Sequence, residues 1–474
     1  MVEKRNSKVS LSSHAMKKHF QLVLMVVAIS TVYQSSAQQN DSLFIRKIYD
    51  EVLSRGKAYD DLHYLCKEIG ARLSGSAEAD MAVKWGERIM RNYQFDTVYL
   101  QEVMVPHWER GTTEAAWYET GDGELHKVNI LALGGSIGTN GMIHSELILF
   151  NHLDELKNAT EEQVNGKIVF INQPMDEKQI NTFKAYGGCY PIRGMGGIES
   201  SKKGAIAVII RSLGMPIDEH PHTGGMYHND DVKEIPAAAI STKDAEELAI
   251  TMQLGKVDFY MEMDCKRFPE KLSYNVIGEI HGNEKPNEYI TFGGHLDSWD
   301  TGEGAHDDGA GIVHSLEAMR TLKVLAYEPK HSLRVVFFMN EENGNMGGKT
   351  YAFEAKKNKE KHIAAIESDR GGFSPRGFQC DGSSTQIELL QSFGPYLEQY
   401  DLRELQKGYG GVDISPLKEQ FEGIPLFGLV PDSQRYFDFH HAPSDVFENV
   451  NKRELELGAG ALAALIYLLD NNLQ

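Results

Sequence analysis

Apolar residues recur at helical spacing from Asp41 to about Phe95: Leu43, Ile45, Ile48, Tyr49, Val52 and Leu53, then Leu62, Leu65 and Ile69, then Met81, Val83, Trp85, Ile89 and Met90. This spacing predicts amphipathic helices that lead into a strand near Thr97 to Val103. The pattern breaks after Gly111. Between about Lys127 and Lys266, short apolar runs alternate with glycine-rich turns, at Val128 to Leu133, Ile143 to Phe150, Lys167 to Asn172 and Ala205 to Ile210. A self-contained β-rich insert accounts for them. After Ser273, strands at Tyr289 to Phe292, Leu333 to Met339, Ala364 to Ile366 and Leu426 to Val430 alternate with helical segments at Gly309 to Val324, Lys349 to Lys357, Thr385 to Gln399 and Lys452 to Leu469. Such alternation predicts an α/β layer with a largely parallel sheet. The N-terminal helices have too little partner surface of their own, so they are expected to join this C-terminal half across the insert.

The first residues read differently. Lys17 and Lys18 precede the apolar run Phe20 to Val32, and small residues stand at Ser35 and Ala37. A basic start, a short apolar core and small residues before a cut make a secretory signal peptide over residues 1 to 37, so a secreted or periplasmic location is expected. Export places Cys66, Cys189, Cys265 and Cys380 where disulfides can persist, yet their spacing resembles neither a metal knuckle nor a redox pair.

The 474 residues are 41% hydrophobic, which is enough for a core, and no apolar run reaches the ~18 residues of a membrane-spanning helix. A formal charge of −20 argues against nucleic acid and against an anionic membrane surface as partners, because both would be repelled. It names no function by itself.

Chemistry appears where the predicted strands end. Tyr289 to Phe292 runs into His295, Asp297 and Asp300, then His306, Asp307 and Asp308; Leu333 to Met339 ends in Glu341 and Glu342; Ala364 to Ile366 ends in Glu367 and Asp369. Ligand sites in open α/β sheets lie at the carboxyl ends of strands, so these clusters can converge on one crevice. Imidazole with carboxylate suits zinc, and carboxylates can bridge two ions. Asp297, two residues from His295, can hold the imidazole from behind. So many acids just after apolar strands would be costly to bury without cations. A late segment, Phe439-His440-His441, with Asp445 beyond it, can supply a second imidazole, and the chemistry leaves the choice between the two histidines open.

At these residues the chain resembles the secreted di-zinc exopeptidases, and within them the carboxypeptidase Q branch. The resemblance rests on RLSGS at Arg72 to Ser76, LALGGSIGT at Leu131 to Thr139, GKIVFINQ at Gly166 to Gln173, PHTG at Pro221 to Gly224, HLDSWD at His295 to Asp300, GAHDDG at Gly304 to Gly309, Glu341-Glu342, Glu367-Ser368-Asp369 and Phe439-His440-His441. It implies a three-layer αβα zinc-peptidase domain, residues 38–115 and 267–474, interrupted by a protease-associated-like insert, 116–266. It further implies two Zn2+ per chain, one held by His295 and Asp369, the other by Glu342 and His441, with Asp307 bridging. The family's His-x-x-x-acid pattern, ending at Asp445, is what selects His441. Glu341 is then the general base and Asp297 the orienter of His295. Asp413, in a Gly-x-Asp-like loop, is a candidate contact to the substrate amine. Relatives with aminopeptidase activity tend to follow this Asp with His, and Ile414 stands here instead, which agrees with a dipeptidase-like branch. The resemblance also implies a homodimer.

The expected activity is zinc-dependent hydrolysis of unblocked dipeptides or short peptides. The alternatives are an aminopeptidase on longer peptides, a catalytically silent binding protein that keeps the scaffold, and a single-zinc cyclase on the same fold.

Overall fold

The computed structural model describes residues 39–473, so the segment read as a signal peptide lies outside the described residues. Two eight-stranded sheets form the molecule. In the larger, the strand order is Thr97–Glu109, Lys266–Ile280, His331–Phe338, Lys285–His295, Lys361–Glu367, Leu426–Pro431, Pro375–Asp381 and Glu404–Lys407. Its centre is parallel: Lys285–His295 pairs in parallel with His331–Phe338 and with Lys361–Glu367, which pairs in parallel with Leu426–Pro431. Both edges bring in antiparallel pairs.

Side-chain alternation shows why this sheet is buried on both faces. Leu333, Val335 and Phe337 point into one core with helices Ala310–Val324 and Lys452–Asn472 and with the helix over 39–55, through Ile45, Ile48 and Val52. Val336 and Phe338 point the other way, onto Tyr351, Ala352 and Leu417. Period-two burial on two sides yields a helix–sheet–helix sandwich, each fully buried aliphatic or Phe side chain contributing about 1.5–3 kcal/mol. The N-terminal helices thus pack on the C-terminal half. Local signals start the elements: Ser76 Oγ accepts from Ala79 N at 3.0 Å to cap helix Ala77–Asn92, and Asn451 caps Lys452–Asn472 in the same way.

The second sheet is built wholly from strands between Glu114 and Met263. It is less purely β than the turn-rich text suggests. Strands Ile143–Phe150, Ile168–Ile171, Ala207–Arg211 and Ala237–Ile240 run parallel. Helices Leu153–Asn158 and Pro191–Lys202 lie between the first three of them in sequence, because parallel neighbours need crossovers. Val169, Ile171, Val208 and Ile210 fill one face, and Ile168, Phe170, Ala207 and Ile209 the other.

The two bodies interlock beside the HLDSWD segment. Trp299 reaches across to Gly134, where a Cβ would lie 1.8 Å from its ring, so only glycine fits. Trp108 meets Trp299 edge-on at 6.4 Å, and Arg110 pairs with Asp300 at 2.6 and 3.0 Å while donating to Ala132 O. All four cysteines are buried and free. Among the described residues, no helix is long and apolar enough to cross a membrane.

Candidate metal centre

Three parallel strands deliver acids or imidazoles to one point. Lys285–His295 ends on His295, His331–Phe338 leads to Glu341 and Glu342, and Lys361–Glu367 leads to Asp369. Asp307 enters from the turn ahead of helix Ala310–Val324, and His440 and His441 follow helix Tyr436–Phe439. The close approach needs small backbone: a Cβ on Gly311 would sit 1.6 Å from Ser368 O, and one on Gly294 would sit 2.0 Å from Asp308 Oδ2.

His295 Nε2 lies 3.2 Å from Asp307 Oδ1 and 3.6 Å from Asp369 Oδ1. His441 Nε2 lies 3.2 Å from Asp307 Oδ2 and 3.1 Å from Glu342 Oε2. The Asp307 carboxylate therefore presents one oxygen to each of two adjoining groups. His440 stands further off, with Nε2 3.7 Å from Asp307 Oδ2 and its ring stacked on His441 at 3.6 Å.

His295 Nε2, Asp307 Oδ2, Glu342 Oε1 and Asp369 Oδ1 are buried with no hydrogen-bond partner among the described residues. An unmet buried polar atom costs about 1–3 kcal/mol, and four of them aimed at one locus are what cations would satisfy. The nitrogen and carboxylate-oxygen donors suit zinc. Charge balance points the same way. Burial, with Asp307 next to it, pushes Glu342 up to about 7, and burial raises Glu341 well above the usual carboxylate range, helped by Asp369 and Glu342. For Asp307 burial pulls the same way, but His295 and His441 outweigh it and hold its pKa well below the ordinary value.

A second layer fixes these groups. The Asp297 carboxylate accepts the backbone N–H groups of Asn340, Glu341 and Glu342 at 2.6, 3.1 and 3.4 Å. His295 Nδ1 meets the Asp297 carbonyl at 2.9 Å, while the carboxylate stands 3.9 Å away. Asp297 thus holds the imidazole by its backbone and the Glu341-Glu342 turn by its side chain, a division of labour invisible in the spacing. Asp445 accepts the N–H groups of His306 and Asp307 at 2.7 and 3.2 Å, and Asp308 those of His295 and Gly311 at 3.1 and 3.0 Å.

Sequence reasoning missed the insert's share. Arg193 Nη1 lies 3.1 Å from His441 Nδ1 and 3.2 Å from Thr223 O, its Nη2 donates to Tyr186 Oη at 2.6 Å, and His222 Nδ1 lies 2.7 Å from His440 O. The PHTG segment contains His222 and Thr223, but nothing in its spacing tied it to the centre. Asp413 is 1% exposed, and both its carboxylate oxygens lack a hydrogen-bond partner among the described residues. It lies behind the cleft wall, which this loop lines through Tyr409 and Val412.

The centre opens into a cleft of about 1160 Å³ between the two bodies, walled by Tyr186, Tyr190 and Tyr227 on the insert side and by Arg370, Tyr409 and Tyr436 opposite. That is room for a short peptide.

Residues 275–466 match the profile of Peptidase family M28. The chain is 33% identical over 417 residues to carboxypeptidase Q of Mus musculus, spanning 88% of this chain and 86% of that one, and 33% identical over 418 residues to carboxypeptidase Q of Homo sapiens, with the same coverage. A crystal structure of a peptidase M28 precursor from Shewanella amazonensis superposes with a TM-score of 0.85 at 33% identity, covering 92% of this chain and 98% of that one. The zinc aminopeptidase BSAP of Bacillus subtilis shares the fold, at a TM-score of 0.61 and 22% identity over 86% of this chain and 94% of that one.

Proposed function

This chain belongs to peptidase family M28 and is a metallo-exopeptidase; from that premise we propose that it hydrolyses the peptide bond of unblocked dipeptides or short peptides with two zinc ions per chain. The observation that carries the reading is Asp307, with one oxygen at His295, which also faces Asp369, and the other at His441, which also faces Glu342, among buried atoms with no hydrogen-bond partner among the described residues. In this reading His295 and Asp369 hold one ion, Glu342 and His441 the other, and Asp307 both.

Zinc bound there supplies a Lewis acid and an acidified water. The chain's own residues do the rest. Glu341, one residue before Glu342 and lining the cleft, takes the proton of the attacking water and returns it to the leaving amine. Asp297 keeps Glu341 in place through the backbone N–H bonds of its turn. The insert closes the cleft's far wall and limits the length of peptide admitted. The N-terminal segment supports export; mass spectrometry of the mature N-terminus should find cleavage after Ala37, and an intact N-terminus would refute it.

The test is purified mature protein assayed on free and N-blocked dipeptides, with metal content by elemental analysis. Hydrolysis of free dipeptides with about two zinc ions per chain is expected. Equal turnover of N-blocked peptides would sink the requirement for a free amino terminus, and one metal per chain would favour the cyclase chemistry.

A further inference from the structure

Two arginines in the cleft wall, Arg193 and Arg370, have no carboxylate within salt-bridge distance among the described residues. They are engaged differently. Arg193 is 5% exposed, and its terminal nitrogens are spent on Thr223 O and Tyr186 Oη, beside His441. Arg370 is half-buried and only braced: Nη1 donates to Gln379 Oε1 and Nη2 to Tyr409 O, both at 3.2 Å, and the guanidinium lies 5.5 Å over the Phe183 ring of the insert. Gln379 Oε1 also accepts Tyr409 N at 3.3 Å, so the brace is itself fixed. Of five guanidinium N–H groups two are used, and three remain to be met in a cleft where charge is partly stripped of water.

A planar cation held flat, short of acceptors and adjacent in sequence to Asp369 matches a carboxylate better than any neutral group, because the fork takes both oxygens at once. An extended peptide advances ~3.3–3.6 Å per residue, so a carboxylate one residue from the bond being cut is within an arginine's reach of the centre. We propose that Arg370 is a specificity-determining residue that binds a carboxylate of the peptide substrate, either the C-terminal carboxylate of a dipeptide or an acidic side chain next to the scissile bond. This rests on the dipeptide-hydrolase reading and deepens it.

The test uses zinc-loaded mature protein and Arg370→Gln, with Arg370→Lys as a second variant that keeps the charge without the fork. Four peptides are compared by kcat/KM: Ala-Leu against Ala-Leu-amide, and Glu-Leu against Gln-Leu. A fall of at least about tenfold in the first ratio in Arg370→Gln, carried mainly by KM and partly restored in Arg370→Lys, assigns the C-terminal carboxylate. The same fall in the second ratio assigns the side chain. Both ratios unchanged, in a variant that melts like the parent, overturns the proposal. If the parent turns over none of the four, the dipeptide reading fails, and calorimetric binding of the same peptides to parent and Arg370→Gln then decides Arg370 by the same ratios.

Discussion

Arg193 of the insert and His441 of the catalytic half meet at 3.1 Å, Nη1 to Nδ1, and the carbonyl of Thr223 lies 3.2 Å from the one and 3.3 Å from the other. With Nε2 turned to the metal, Nδ1 carries the proton and donates to the Thr223 carbonyl, which Arg193 anchors by donating to the same oxygen, so the far side of the His441 imidazole is held by a different body from the one that carries it. Partners behind a metal-bound histidine typically change metal affinity by about 10–100-fold. Arg193→Met should therefore lose one zinc well before the other under graded chelation, while the parent releases both at higher chelator. Metal content after dialysis against a chelator series reads this directly, and equal retention in both proteins would remove Arg193 from the support of His441.

Glu341 should separate chemistry from binding. Glu341→Gln keeps the side chain's shape and leaves Asp307, Glu342, Asp369 and both histidines intact. A loss of about 10²–10⁴ in kcat with unchanged zinc content is expected. Steady-state kinetics beside elemental analysis checks it; a variant as fast as the parent would take Glu341 out of the proton path.

Arg72 is fully buried and faces carbonyls alone: Leu296 O at 2.6 Å, Glu303 O at 2.7 Å, Gly304 O at 3.0 Å and Gly70 O at 3.4 Å. These clamp the chain on either side of the segment that leads to Asp307. Arg72→Met strands several acceptors at once, and a loss of about 3 kcal/mol or more is expected from urea unfolding.

Glu456, on helix Lys452–Asn472, gives the stability a pH dependence. Burial, with Glu317 nearby, pushes its carboxyl up to about 8, against weaker pulls from the Tyr59 N–H, Lys452 and Arg320. The folded chain then keeps a proton that the unfolded chain releases near pH ~4.5, so this stability is full below the ordinary carboxylate value and is lost as pH rises through about 8. Glu456→Gln should flatten the decline between pH 6 and 9, gaining roughly 2 kcal/mol on the parent at the alkaline end. Thermal melts across that range measure it; parallel curves for the two proteins would refute it.

The parts of the centre that could be read from the sequence are those that follow an apolar strand directly. His295, Glu341, Glu342 and Asp369 stand at or just past strand ends, so strand prediction alone locates them. Arg193 and Thr223 could not be found that way, because they reach the centre only through the packing of one body on another. Strand Pro375–Asp381 opens on proline and contains Gly377, two residues that argue against a strand, and pairing with Leu426–Pro431 overrides them. The helix expected over Thr385 to Gln399 stops at Ser392 and restarts at Gly394 beside Pro395, where the ring removes a backbone donor. The parallel core of the insert was hidden because its strands are only four to eight residues long and its helices rich in glycine.

The four unpaired, buried thiols bear on how the molecule is made. With no cross-link to form, the chain needs no oxidase or isomerase to reach its fold, and dithiothreitol should leave it as stable as before. It can be produced in a reducing cytoplasm as readily as in an oxidising compartment. Burial pushes the Cys265 and Cys380 thiols up to about 11, so in the native protein they hold their protons and react slowly with alkylating reagents. Their alkylation is then a clock for unfolding.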